Sequence, residues 1–180
     1  MLKRIVLLKQ IALATCLLLV PVNAQAEITQ SAADGFQIVV KQTTSLNPGA
    51  AYRVMIEDFA NWYDASHSYS GVAENLSLDI AQHCMLERLP GGGFVRHMEI
   101  VYQQPGQVFR MTGGLGPLQE MGINGALTFS FNEVEGGTEI TLTYNVTGSS
   151  FQQLDKIAVP VDGVLEAQLE RLKNYCDEKG

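Results

Sequence analysis

Basic residues, histidines and cysteines are all scarce in this chain of 180 residues. It has twelve Lys and Arg against nineteen Asp and Glu, three His and three Cys. The shortage of positive charge argues against a nucleic-acid binder and against docking on anionic membrane by charge alone. The histidines are His67, His83 and His97, and no two show the helical i, i+4 spacing or the close Cys/His grouping of zinc sites, so neither a metal nor any other cofactor is expected. Also missing are a Ser-His-Asp order, a nucleophile elbow, a dinucleotide fingerprint in its required context, internal repeats and low-complexity segments. The longest apolar run, Ile11 to Val20, falls well short of the roughly 20 residues of a membrane span.

That run has the form of an address. Lys3, Arg4 and Lys9 precede it, Pro21 ends it, and Ala24-Gln25-Ala26 matches the small-x-small pattern of a signal-peptidase site. Residues 1–26 are therefore expected to be a signal peptide cut after Ala26, giving a periplasmic or secreted protein without stable membrane insertion after cleavage. Cys16 is a weak lipidation candidate, because Thr15 stands where such sites want a smaller residue. Three of the twelve basic residues lie in this leader, which leaves nine against nineteen acids, a net charge of −10, on 154 residues. That length suits one domain with a sizeable core. Cys84 and Cys176 remain, and an oxidising compartment permits one bridge between them; two buried thiols are the alternative.

The rest of the chain is rich in pattern. Residues 27–35 are small and polar and read as a flexible arm, with the domain spanning 36–180. Phe36 to Leu46 is rich in β-branched residues and reads as a strand. Asn47-Pro48 fits an N-cap followed by proline at N1, opening a helix to about Phe59 with Ala51, Val54, Met55 and Phe59 on one face. A short segment carrying Trp62, Tyr63, His67 and Tyr69 follows. Six strand candidates come next, over 72–80, 83–89, 94–103, 108–112, 125–132 and 138–146, mostly joined by short turns as in an antiparallel meander. Leu127, Phe129 and Phe131 alternate with polar residues, as do Ile140, Leu142, Tyr144 and Val146. Pro160 is placed in the first turn of a closing helix, whose apolar stripe is Val161, Leu165, Leu169, Leu172 and Cys176. The expectation is an α+β fold, a curved antiparallel sheet of about seven strands (β-α-α-β6-α) closed over one long helix. A curved sheet and a single helix tend to enclose a cavity, which points to an apolar ligand.

Several stretches carry a family resemblance: Asn61-Trp62-Tyr63 with His67 to Gly71, Gly91-Gly92-Gly93 with Val95-Arg96-His97, and Gly113-Gly114-Leu115-Gly116-Pro117-Leu118. Gly136-Gly137-Thr138, Val161-Asp162, Gln168-Leu169 and Arg171-Leu172 add to it. In these, and in element order, the chain resembles the SRPBCC/START-like helix-grip superfamily, in particular its bacterial polyketide cyclase/dehydrase and lipid-transport members. The resemblance implies a helix-grip fold holding a lipid or aromatic molecule between sheet and C-terminal helix. It does not choose between carriage and catalysis.

Within that frame Met111, Phe129, Tyr144 and Leu165 are expected to wall the cavity, with Trp62 and Tyr69 near one end. Gly113 to Gln119 lacks the lysine and helix start of a phosphate loop, and reads as a tight turn with Leu115 and Leu118 against the cavity or at its mouth. Glu87 and His97 sit on strands joined by the turn at Pro90 to Gly93. Facing inward they would form an acid–base pair; facing outward, an ordinary cross-strand contact. Asp162 fits a carboxylate complementing the helix dipole. The leading expectation is a binding protein, with a cyclase or dehydratase using Glu87 and His97 as one alternative and an envelope interaction module with a vestigial pocket as another. Oligomeric state is open.

Overall fold

A computed structural model describes residues 27–180; the leader expected over 1–26, its cut after Ala26 and Cys16 lie outside the described residues. Alternation builds the sheet. In the last strand Thr138, Ile140, Leu142, Tyr144 and Val146 are buried while their neighbours are wholly or partly exposed. The sheet has eight antiparallel strands: β1 (Glu27–Ala32), β2 (Gly35–Thr44), β3 (Leu76–Asp79), β4 (Cys84–Arg88), β5 (Phe94–Gln104), β6 (Val108–Thr112), β7 (Asn124–Val134) and β8 (Gly137–Thr147). Their spatial order is β1-β2-β8-β7-β6-β5-β4-β3. The sheet thus runs as a meander from β3 to β8 and is closed on the far side by the N-terminal hairpin.

The count of eight corrects the expected seven, and the added strand is the segment read as a flexible arm. Ala32 pairs with Gly35 across a two-residue turn, and Glu27 pairs with Val39. Backbone ladder bonds hold this edge, since of its side chains only Ile28 is even partly buried. At the other end, the long strand expected over 72–80 shrinks to β3, preceded by a 3-10 turn at Ala73–Asn75.

Three helices cover the concave face. Asn47 Oδ1 accepts from Ala50 N–H at 2.9 Å and opens α1 (Pro48–Glu57), with Pro48 in its first turn. The chain breaks at Asp58 and resumes as α2 (Phe59–Trp62). The closing helix, α3 (Leu154–Lys179), starts six residues before Pro160, so Pro160 is its seventh residue rather than part of its first turn. The missing proline N–H removes one helical bond, to the Lys156 carbonyl. Leu154 and Ala158 extend the expected stripe backwards, and both are fully buried. The stripe then packs chiefly on β2 and β1.

Polar clamps lock the helices together. Gln168 of α3 accepts from Asp64 N–H at 2.9 Å and donates to the Asp64 carbonyl at 3.0 Å. Arg171 Nε donates to the Trp62 carbonyl at 2.8 Å. Asp177 accepts from the Thr44 hydroxyl at 2.7 Å and from Ser45 N–H at 2.9 Å.

Of the two readings open for Cys84 and Cys176, a bridge or two buried thiols, the second is found. Both cysteines are free and buried, and the sheet lies between them. Cys84 alternates with the inward Met85 and Glu87 and so faces the convex side, beside Leu86, Arg88 and Arg96. Cys176 sits on the concave side, where its thiol meets Thr44 and burial pushes it up to about 12.

Candidate functional site: a cavity beside a buried Glu–His pair

One irregularity in strand pairing positions the polar part of the site. Between β4 and β5, Met85 pairs with Met98 but Leu86 pairs with Arg96, leaving His97 as an extra residue. Such a bulge turns two successive side chains to one face. His97 and Met98 are accordingly both buried, at 3% and 1% exposure. The bulge brings His97 Nε2 to 2.8 Å from Glu87 Oε2, deep on the concave side. Of the two orientations open from sequence, the inward one is found.

Glu87 is wholly buried, and donors surround it. Its carboxylate accepts from Tyr69 N–H at 3.2 Å, from Ser70 N–H and from His97. Burial alone would raise this carboxyl, but the hydroxyl and N–H of Ser70, with His97 and Tyr69 N–H, outweigh it and hold it at about 2. A carboxylate only accepts, so Nε2 of His97 carries the proton in this contact. The other ring nitrogen, Nδ1, is buried without a hydrogen-bond partner.

His97 forms part of the wall of a cavity of about 340 Å³. Leu76, Met85 and His97 line it from the sheet, Ile157, Pro160, Val161, Val164 and Leu165 from α3. Tyr63, His67 and Ser68 close one side, and Leu115 to Leu118 with Met121 the other. A much smaller void, about 30 Å³, lies deeper under α2 and shares Tyr63, Met85, Leu115, Val164 and Leu165 with the main cavity. It has room for about one water.

The sequence-derived wall residues divide between these spaces. Leu165 lines both; Trp62, Met111 and Phe129 line only the small inner void. Trp62 is also a packing residue, its Nε1 donating to the Met55 carbonyl at 3.1 Å. Tyr144 lines neither. Its hydroxyl accepts from Leu115 N–H at 3.3 Å and donates to the Gly113 carbonyl at 3.4 Å, anchoring the loop that does line the cavity. Burial pushes its phenol up to about 12. Tyr69 is 46% exposed and outside both spaces. Its ring lies 5.9 Å from that of His97, covering the buried pair from the solvent side. Leu115 and Leu118 line the cavity from a 3-10 turn at Gly116–Leu118.

Tyr63 and Met85 were missed by sequence reasoning. Met85 could have been found, since it alternates in register with Glu87. Tyr63 gave no orientation signal; it lines both spaces, and burial, with Glu87 and Asp64 nearby, raises its phenol well above the ordinary range. The three histidines do not converge: His83 is exposed in the β3–β4 turn and His67 is exposed at the cavity edge. Asp162 lies in the third turn of α3, not the first, so the helix-dipole explanation does not apply. Desolvation, then repulsion from Glu166, raises its carboxyl.

Comparison with solved structures supports the fold. CalU16 from Micromonospora echinospora matches with a TM-score of 0.57 at 12% identity, over 85% of this chain and 83% of that one. An uncharacterised protein from Rhizobium leguminosarum matches with a TM-score of 0.55 at 18% identity, over 86% and 98%. A protein from Nitrosomonas europaea matches at 0.56 and 10%, over 83% and 98%. At these identities the likeness is one of fold, a helix-grip-like α+β architecture. No protein-family model matches the sequence, and no curated protein matches it.

Proposed function

We propose that this chain is an exported small-molecule binding protein of the SRPBCC/START-like type, holding an apolar ligand between its sheet and C-terminal helix. One observation carries the reading: a cavity of about 340 Å³ whose walls are leucine, methionine, valine, isoleucine and proline with few polar groups. Cavities of roughly 300–1,000 Å³ with apolar walls and a few placed polar atoms are the usual form of ligand sites. A periplasmic or secreted setting rests on the leader pattern of residues 1–26. The vestigial-pocket alternative fits less well, because a packed-out site would not retain this volume.

Native mass spectrometry of protein purified from its own envelope, followed by organic extraction, tests the reading. A reproducible apolar molecule at one per chain supports it. Repeated recovery of ligand-free protein, together with no uptake of added hydrophobic probes, would sink it.

A cyclase or dehydratase is the second reading, and the free Nδ1 of His97 favours it. An imidazole held by a carboxylate through one nitrogen, in a residue that lines a cavity, resembles a general base with its orienting group. Glu87 would then be a positioning residue, since it does not line the cavity. Turnover that survives His97→Phe would exclude this role.

A further inference from the structure

Two buried side-chain polar atoms among the described residues lack a hydrogen-bond partner, Nδ1 of His97 and Oδ1 of Asp162. Only the first belongs to a residue lining the cavity, and that atom is itself closed off from solvent, so a ligand meets it through a small shift of the ring or the wall. We propose that Nδ1 of His97 is the recognition point of the cavity and accepts a hydrogen bond from a hydroxyl group on an otherwise apolar ligand. The site then takes alcohols and phenols in preference to matched ethers and carboxylates. This inference rests on the binding reading above and names its ligand class.

The geometry sets the sign of the preference. Nε2 faces the Glu87 carboxylate at 2.8 Å, and a carboxylate can only accept. In the neutral form of the ring the proton is therefore on Nε2, and Nδ1 presents a lone pair. A buried acceptor left unpaired is unfavourable, and native structures rarely keep one. A ligand hydroxyl supplies the missing donor; an ether oxygen does not.

Of the other polar side chains in the wall, Tyr63 and His67 close one side, His67 at the exposed edge, and neither has an atom that is both buried and unpartnered as Nδ1 of His97 is. Ser68 is committed to its own loop, its hydroxyl donating to the Ala65 carbonyl at 2.8 Å and accepting from Gly71 N–H at 3.0 Å. No lysine or arginine lines the cavity. A ligand carboxylate would thus meet a lone pair backed by the Glu87 charge, with no cation to balance it. Size narrows the class further. At about 30 Å³ per water-sized group, the cavity holds on the order of ten non-hydrogen atoms.

Calorimetric titration with 2-naphthol, 2-methoxynaphthalene and 2-naphthoate tests this. Naphthol should bind about tenfold more tightly than the ether, as one net hydrogen bond allows, and naphthoate no more tightly than the ether. Equal binding of naphthol and ether overturns the inference and leaves the cavity reading intact, with Nδ1 left unpaired. Binding of none of the three overturns both. Glu87→Gln removes the carboxylate that fixes the ring proton, so the naphthol advantage should fall to about twofold or less; an unchanged advantage overturns the role of Nδ1. Nitrogen-15 NMR of the His97 ring gives a readout that needs no ligand. The proton should be found on Nε2 only, and a ring carrying a proton on Nδ1, alone or together with Nε2, overturns the inference.

Discussion

His97 Nε2 lies 2.8 Å from Glu87 Oε2, although the ladder partner of Glu87 is Val95. The bulge at His97 makes the contact, by inserting one residue between Val95 and the Met98 pairing. A regular ladder would have sent either His97 or Met98 to the convex face. One irregular position thus buries a carboxylate–imidazole pair beside an apolar cavity, and hydrogen bonds from Tyr69 and Ser70 complete its surroundings.

Acid stability follows from this. The Glu87 carboxyl is lowered from 4.5 to about 2, so it is a depressed group. Its contribution is fully present above pH 4.5 and is lost as pH falls toward 2. It is worth about 3 kcal/mol by linkage. Urea unfolding measured across this range should show wild type losing that much more stability than Glu87→Gln. Parallel pH profiles would refute the assignment.

Asp162 predicts the opposite sign. Its raised carboxyl lacks a partner for Oδ1 and lies four residues from Glu166. Its unfavourable contribution is absent at low pH and appears as pH rises past the ordinary aspartate range. Asp162→Asn should therefore stabilise the protein at neutral pH, with relief of the i, i+4 repulsion alone giving about 0.2–0.5 kcal/mol. Thermal unfolding at pH 7 and pH 3 checks this, and a gain at pH 3 alone would contradict it.

The thiols give a direct chemical test. Cys84 and Cys176 lie on opposite faces of the sheet, both free. Neither should react with an aromatic disulfide reagent in the native protein, and both should react in denaturant without prior reduction. A reducing agent should leave the unfolding midpoint unchanged. A reductant-sensitive midpoint would place a bridge where the fold has none.

The strands that could be read from sequence are those with one buried face. In β7 and β8 the alternation of Leu127, Phe129 and Phe131 and of Ile140 to Val146 dictates which side chains turn inward. β1 carries no such signal, because an edge strand held by backbone bonds needs no apolar face. The start of α3 was misplaced because proline usually opens a helix, yet Leu154 and Ala158 continue the stripe ahead of Pro160. At the site, the turn at Pro90 to Gly93 brought Glu87 and His97 together on paper but left their face open. A bulge shifts register by one residue, and no residue type in 95–98 announces it. Met111 and Phe129 do face inward, yet β6 and β7 reach only the small inner void.

Val164 stands between the two spaces and lines both. Val164→Trp should fill much of the volume at their junction. Affinity for 2-naphthol should fall more than tenfold, while stability changes by no more than about 1 kcal/mol, since the bulk enters empty space rather than packed core. Retained affinity would move the binding site elsewhere.

The Tyr144 phenol ties the loop from Gly113 to Leu118 to the core at Leu115, beside the bond from Gly113 N–H to the Gly125 carbonyl. Tyr144 reaches the loop because it packs over Gly125: a Cβ there would lie 2.6 Å from the Tyr144 ring and 2.9 Å from the Asn145 carbonyl. Tyr144→Phe keeps the ring in the core and removes only the bonds to Leu115 N–H and the Gly113 carbonyl. The cost should be about 1 kcal/mol, concentrated in the loop. Hydrogen exchange should accelerate at Leu115 while β7 and β8 keep their protection, and ligand should both enter and leave faster. Gly125→Ala displaces the ring itself, so it should loosen the same amide and also lower global stability. If Tyr144→Phe instead raised exchange evenly across the sheet, the phenol would be a core contact and not the anchor of the cavity loop.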